Sequence, residues 1–473
     1  MSQVGDAIQR FHKLLESEPF KDMSWAEALQ TRMKDENLLF GSRPASPVLR
    51  PHFITNRQYQ NLVKAAESLF SAINRVQEMV LANPVLLARM QLLPAEKMLA
   101  SIDPGYPFLA VTDFLDTHLD NGTLRFTEYN SETPAGVVFG EALSNMFYDS
   151  PPMKEFRKKY SLTKLGGTKQ LLQALLKAYK EFGSRKSAAG NGARRNGNGN
   201  GNGNGHRKKP RIAILEFRQP FQTAAAPEHV ILAELFRKEG CETEVVSPEQ
   251  LEYRNGVLRK GDFEIDLIYR KMKVNEFLVR FDLTHALVRA YQDQKVCIVN
   301  SFRAELSRKK AIFDLLTDET VTGKFPAAER KAIREFIPWT RIVAPGKTTR
   351  NGKAIDLIEY VQANRSKLVL KPNDDSAELP VYRGAAMDDA NWEKALRVTQ
   401  RTPYVVQEVT ESTRAPFPVL QYGSVQVKDL NVDVHPHSFL GKVYGCSSWL
   451  TTEAPSGVRS AVGLAPTFII DTK

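Results

Sequence analysis

The chain has 473 residues, 42% hydrophobic and 25% charged, with a formal net charge of +11. That balance describes a globular protein of roughly two to four domains and excludes a fibrous or wholly disordered chain. No run of about eighteen apolar residues marks a membrane-spanning helix, and Cys241, Cys297 and Cys446 lack the CxxC spacing of a zinc site or a disulfide framework.

The N-terminus, MSQVGDAIQRFHKLLESEPF, is amphipathic and carries acids where a signal peptide would be apolar, so a soluble, cytoplasmic protein is expected. Residues 56–90 place Leu62, Ala65, Leu69, Ile73, Val76 and Val80 at helical spacing, with a break at Pro84. In FLAVTDFLDTHLDNGTLRFTEYN, residues 108–111 and 124–129 read as strands and Asn121-Gly122 as their turn. Residues 184–209 hold seven cations and no acid, which leaves +4 of the +11 for everything else. Their Gly/Asn repeat can bury almost nothing, so a disordered basic linker is expected there.

Beyond it the pattern becomes α/β: strand 211–217, helix 228–239, strand 243–247, a hairpin at Asn255-Gly256, strand 265–269, helix 274–291 and strand 295–299. A helix over 304–316 and a helical hairpin near 326–336 follow. Strand 367–371, helix 389–399, strand 404–409 and a β-rich tail complete the pattern.

Several groups of residues carry chemistry. Glu128 and Asn130 alternate along one strand and share a face, and Asp116 lies on the neighbouring strand. Three hard oxygen donors suit Mg²⁺, although solvated hairpin charges give the same pattern. Lys371 ends the run LVLK and enters the polar loop KPNDDSAELPVYRG, where an ammonium can reach a polyphosphate. That loop has no glycine before Gly384, and Asp374, Asp375 and Glu378 have the wrong sign for phosphate. Lys310 lies early in a helix, and YVVQEV puts Gln407 and Glu408 where backbone groups could meet an adenine edge or simply end a strand. Arg270 and Lys271 follow a strand of an α/β sheet, where ligands bind, so Arg270 is a candidate substrate contact or a structural ion pair. Asp433, His435 and His437 alternate as D-x-H-x-H, a pattern for a transition metal or for a half-exposed strand.

In chain order, LLPAEKML, DPGYPFLAVT, FTEYNSETPAG, IDLIYRK, VNSFRAELSRKKAIFDLL, LVLKPNDD, YVVQEV and DLNVDVHPHSFLGKVYG resemble the circularly permuted ATP-grasp proteins, the group that includes glutathionylspermidine synthase. The resemblance covers most of the chain outside the Gly/Asn segment. It implies an α/β (α+β) fold, permuted so that the metal-binding strands precede the lysine-bearing ones, with a Rossmann-like pre-ATP-grasp segment. The implied domains are 1–183 (helices plus metal strands), the linker 184–209, the α/β segment 210–300 and the nucleotide-binding subdomains 301–473. The resemblance further implies that Asp116, Glu128 and Asn130 hold Mg²⁺, that Lys310 and Lys371 bind the phosphates of ATP, and that Gln407 and Glu408 form the adenine side. Ser131, Glu132 and Thr133 would face the acceptor substrate. The implied reaction joins a carboxylate to an amine, on a peptide-like or small substrate, through an acyl phosphate.

The chain departs from the family pattern at Phe114, at Lys309, in the loop 376–380 and at 447–449. These departures imply the alternative of a degenerate module that binds nucleotide, peptide or a partner protein without turnover. No basic face interleaved with aromatics marks a nucleic-acid groove, which leaves the linker as the one segment suited to such contact.

Overall fold

The computed structural model describes residues 3–119, 123–191, 209–218, 227–374, 379–421, 424–453 and 459–472. Strand β1 (His52–Thr55) leads directly into the helix Asn56–Ala82. Thr55 Oγ1 accepts the Gln58 N–H while the Gln58 side chain returns to the Thr55 N–H, so the helix starts on a capping box. It buries the expected stripe from Leu62 to Val80 and ends before Pro84, where Asn83 caps the short helix Pro84–Arg89.

Strands β2 (Thr112–Leu119) and β3 (Leu124–Asn130) pair antiparallel, and β4 (Tyr160–Lys164) follows. The strand expected over 108–111 is not formed. The loop there is pinned instead, because Asp103 accepts the Gly105 N–H and Asn300 Oδ1 accepts the Val111 N–H. The expected turn at Asn121-Gly122 lies outside the described residues. The helix Thr168–Asn191 continues into the segment expected to be linker from 184, and 192–208 lie outside the described residues.

Strands β5 (Ile212–Leu215), β6 (Thr243–Val246), β7 (Leu267–Arg270) and β8 (Cys297–Val299) form a parallel sheet in the order β8-β7-β5-β6. The four strands are mainly apolar and mostly buried, as a sheet covered on both faces requires. The hairpin expected at Asn255-Gly256 is present, with φ of 52° and 73° at its centre, the left-handed values such a turn demands. The single helix expected over 274–291 is two, Val274–Arg280 and Ala286–Gln292. Asp282 accepts from the Thr284 N–H and hydroxyl, and His285 Nδ1 accepts the Leu287 N–H, so side chains compete for the backbone and restart the helix.

Strands β9 (Thr340–Ile342), β10 (Leu368–Pro372), β11 (Tyr382–Arg383) and β12 (Tyr404–Glu408) form an antiparallel sheet in the order β9-β12-β10-β11. The last sheet comprises β13 (Arg414–Gln421), β14 (Ser424–Phe439), β15 (Lys442–Glu453) and β16 (Arg459–Ala465). It continues onto the early hairpin in the order β16-β15-β14-β2-β3, with β13 pairing β14 from the side. Strand β17 (Thr467–Thr472) lies parallel to β1 and antiparallel to β4. Both ends of the chain therefore share two sheets, and the hairpin β2–β3 is built into the C-terminal one. Among the described residues no helix is long and apolar enough to cross a membrane.

Candidate functional site

The register of β2 and β3 sets the first half of the site. Asp116 pairs directly with Glu128, and Phe114 with Asn130, so all four side chains share one face of the sheet. The second half comes from the lysines. Lys371, next to the end of β10, places Nζ 3.4 Å from Glu128 Oε1, and Lys310 places Nζ 3.8 Å from the same oxygen. Two carboxylates and two ammoniums from the expected set thus converge. Burial pulls the Lys371 ammonium below its ordinary value, opposed by Glu128 and reinforced by Lys310.

Lys310 reaches this position because the helix expected over 304–316 is broken. It consists of Glu305–Arg308 and Ala311–Leu316, with Lys309 in an extended conformation between them. The cause is tertiary. Asn373 receives the Lys310 N–H on its carbonyl at 2.9 Å and the Ala311 N–H on its Oδ1 at 2.8 Å, while its amide donates to Met90 O. One residue, two positions after Lys371, therefore fixes the spacing of the two lysines.

The remaining expected residues are placed differently from the simplest reading. Asn130 Oδ1 accepts the N–H groups of Glu132 and Thr133, so that oxygen shapes the turn after β3. Ser131 is buried and bonds Ala304 O and Ser307. Glu132, also buried, forms an ion pair with Arg270 at 3.1 Å and with Arg308 at 2.6 Å. Arg270 is fully buried, and its guanidinium also donates to the carbonyls of Asn300, Met272 and Ser301. Of the two strand-end readings, the structural ion pair is the one its surroundings fit. Of Ser131, Glu132 and Thr133, Thr133 is the one that is half-buried rather than buried.

Gln407 is buried and donates to Thr340 Oγ1 at 3.0 Å. Glu408 pairs with Arg350, its N–H donates to Trp339 O, and the Val409 N–H donates to Lys367 O. These backbone donors are committed to the sheet. The next residue, Thr410, bonds His118 Nδ1, and His118 Nε2 faces Asp433, which ties the strand end to the large sheet.

The D-x-H-x-H segment does not gather on one ion. Asp433 faces His118 at 3.3 Å, His435 Nε2 lies 2.6 Å from Asp116, and His437 Nε2 bonds Ser447 at 2.9 Å. His435 is moreover stacked on Phe114, with centroids 4.5 Å apart and planes 9° from parallel, and Trp449 stacks on its other side at 5.9 Å. Two of the departures from the family pattern, Phe114 and the segment 447–449, meet in this stack.

A third departure, Lys309, sits in a buried charge cluster that sequence reasoning missed. Its Nζ lies 2.8 Å from Glu96, 3.1 Å from Glu305 and 2.7 Å from Asp374. Arg308 adds ion pairs with Glu305, Glu132 and Asp374. The carboxylates outnumber the cations, and burial together with repulsion from Glu305 pushes Glu132 up to about 7, against the pull of Arg308 and Arg270. Glu305 itself is held well below the usual carboxylate range by Arg308 and Lys309, against the cost of burial. The run R-K-K in the sequence was the available signal; nothing there shows that its first two cations turn inward. The acids of the loop 374–378 had looked unsuited to phosphate, and Asp374 serves these internal cations. Residues 375–378 lie outside the described residues.

Asp116 and Glu128 offer the hard oxygens a magnesium ion requires, opposite two ammoniums that fit phosphate, so the donor chemistry fits a Mg²⁺–nucleotide pair with two protein carboxylates.

No protein-family model and no curated protein matches the sequence. Among solved structures, the chain is similar to a glutathione synthetase-like effector from Globodera pallida in its apo form, at 12% identity, covering 97% of this chain and 98% of that one, with a TM-score of 0.58. Further matches include a putative gamma-glutamylcysteine synthetase from Methylobacillus flagellatus, at 11% identity, 88% and 89% coverage and a TM-score of 0.41. An ATP-grasp RimK domain protein from Sphaerobacter thermophilus matches at 16% identity over 54% of this chain and 90% of that one, with a TM-score of 0.26. At such identities the likeness concerns fold alone: the chain has a mixed α/β fold similar to that of the glutathione synthetase-like effector.

Proposed function

We propose that this chain is an ATP-dependent carboxylate–amine ligase with a circularly permuted ATP-grasp arrangement. One observation carries the reading: Lys310 and Lys371, from different segments, meet Glu128 beside its cross-strand partner Asp116. The permuted order is supported by the pairing of β2 with β14, which builds an early hairpin into the C-terminal sheet. On this reading residues 210–300 form the pre-ATP-grasp segment, 301–473 the nucleotide-binding subdomains, and the N-terminal part supplies the metal strands.

Asp116 and Glu128 would hold Mg²⁺, with Asn130 shaping the turn that follows, and the ion would supply charge neutralisation for the phosphoryl group. Lys310 and Lys371 would exchange Glu128 for phosphate oxygens, because an ammonium gains more from a polyphosphate than from one half-open carboxylate. A substrate carboxylate would then be activated as its acyl phosphate, and an amine would displace phosphate, forming the amide. Gln407 and Glu408 border the adenine end of the cleft. Thr133 faces the acceptor, with Ser131, Glu132 and Arg270 supporting that segment from beneath.

The experiment is ADP release from MgATP, measured with panels of carboxylates and amines. Stimulated release by a matched pair supports the ligase. Absence of any nucleotide binding in calorimetry contradicts it.

A second reading, a nucleotide-binding module without turnover, is favoured by the stack Phe114–His435–Trp449 against Asp116. Tight MgATP binding with no ADP release under every substrate pair would select it.

A further inference from the structure

Arg308 lies between two parts of the site that serve different substrates. On one side it pairs with Asp374, the third residue after Lys371. On the other it pairs through Nε with Glu132 at 2.6 Å, in the segment that follows β3. Lys309 holds the other oxygen of the same Asp374 at 2.7 Å and also pairs with Glu96 and Glu305. Glu132 in turn accepts the Val274 N–H and pairs with Arg270, which itself bonds Met272 O. The chain of contacts thus runs without a gap from the loop after β10 to the start of the helix Val274–Arg280.

Three features make this more than a structural staple. Arg308 and Lys309 are adjacent in sequence and sit at the helix break that also positions Lys310, so movement of one affects all three. Glu132, Glu305 and Arg308 are nearly inaccessible, whereas the Asp374 side chain is 23% exposed, so the relay opens to solvent at the nucleotide end. Arg308 reaches three carboxylates from two nitrogens of one rigid fork, Glu132 through Nε and Glu305 and Asp374 through Nη2, a spread that the single nitrogen of an ammonium at this position would not reproduce.

We propose that Arg308 and Lys309 are positioning residues that couple occupancy of the nucleotide cleft to the order of the acceptor-side segment 131–136, with Asp374 as the input and Glu132 as the output. The inference rests on the nucleotide-binding reading above. Coupling of this kind is reciprocal: an acceptor that orders 131–136 also tightens nucleotide binding.

The test is amide hydrogen exchange on the full chain with and without MgADP, alongside calorimetric titration of MgADP, for the wild type, Asp374→Asn, Asp374→Glu and Arg308→Lys. In the wild type, MgADP is expected to slow exchange at 368–374 and also at 131–136 and 272–276, by about fivefold or more, the lower end of ordinary coupling. Asp374→Asn should keep the first effect and lose the second, and Asp374→Glu should restore it. Arg308→Lys keeps the charge and removes the fork, and should likewise lose the second effect. This separates coupling from simple loss of fold. Protection at 131–136 that is absent in the wild type, or that persists in Asp374→Asn and Arg308→Lys, overturns the relay while leaving nucleotide binding intact. Failure of the wild type to bind MgADP in the titration overturns the nucleotide reading and the relay with it.

Discussion

Replacing Glu128 with Gln should change nucleotide affinity in opposite directions with and without magnesium. The carboxylate lies 3.4 Å from Lys371 Nζ and 3.8 Å from Lys310 Nζ. At an effective dielectric constant of about 20, those separations correspond to about 5 and about 4 kcal/mol of attraction. The Glu128 side chain is 36% exposed, however, so solvent screening reduces each pair to about 1 kcal/mol. A polyanion entering without metal must overcome that attraction and also meets the carboxylate's repulsion. Removing it should therefore tighten metal-free ATP binding by about tenfold, which is about 1.4 kcal/mol. In magnesium the same substitution removes the proposed metal ligand and should weaken binding. The assay is calorimetric titration of ATP in EDTA and in excess Mg²⁺ for both proteins. Equal affinity changes in the two buffers would refute the reasoning, because Glu128 would then be neither a metal ligand nor the resting partner of the lysines.

Lys371→Met should weaken MgATP binding by about tenfold or more, the range of a charge-assisted hydrogen bond, while leaving the melting temperature unchanged or raised, since a desolvated ammonium is removed. Unchanged affinity in the titration would contradict it. Lys309→Met should lower stability in urea by about 3–5 kcal/mol, because Glu96, Glu305 and Asp374 lose their shared cation, and Lys309→Arg should lose much less. Acid should also destabilise the protein through His52, buried beside Ser448 and lowered to about 3 by burial and by Arg50. An imidazole whose folded value lies below its unfolded one contributes stability above the unfolded value and loses it as pH falls, about 2 kcal/mol by pH 5. Unfolding free energies at pH 7 and pH 5 should differ less in His52→Asn than in the wild type; an equal difference in both proteins would remove His52 from the account.

Local signals carried the fold far. The stripe from Leu62 to Val80, the break at Pro84, the Asn255-Gly256 turn and the strands around Leu267 and Val405 all depend on spacing or on turn chemistry, which neighbouring residues decide. What failed depended on distant partners. Nothing near Lys309 shows that Asn373 will receive the Lys310 and Ala311 amides and break the helix. Residues 108–111 have strand composition but are held as a loop by Asn300, almost two hundred positions later. At the site, alternation on β3 correctly placed Glu128 and Asn130 on one face, since strand periodicity is local. It could not show that Arg270 and Glu132 neutralise each other inside the protein, nor that His435 would sit between Phe114 and Trp449. Asp374 shows the same limit: its sign was readable, and its partners Arg308 and Lys309 were not.

The most direct measurement of the central claim is a crystal structure of the protein grown with ADP and Mn²⁺, read by anomalous scattering. The account predicts a manganese peak ligated by Asp116 and Glu128, bridged to phosphate oxygens that lie against Lys310 and Lys371. A nucleotide bound elsewhere, or a metal peak away from these two carboxylates, would contradict it.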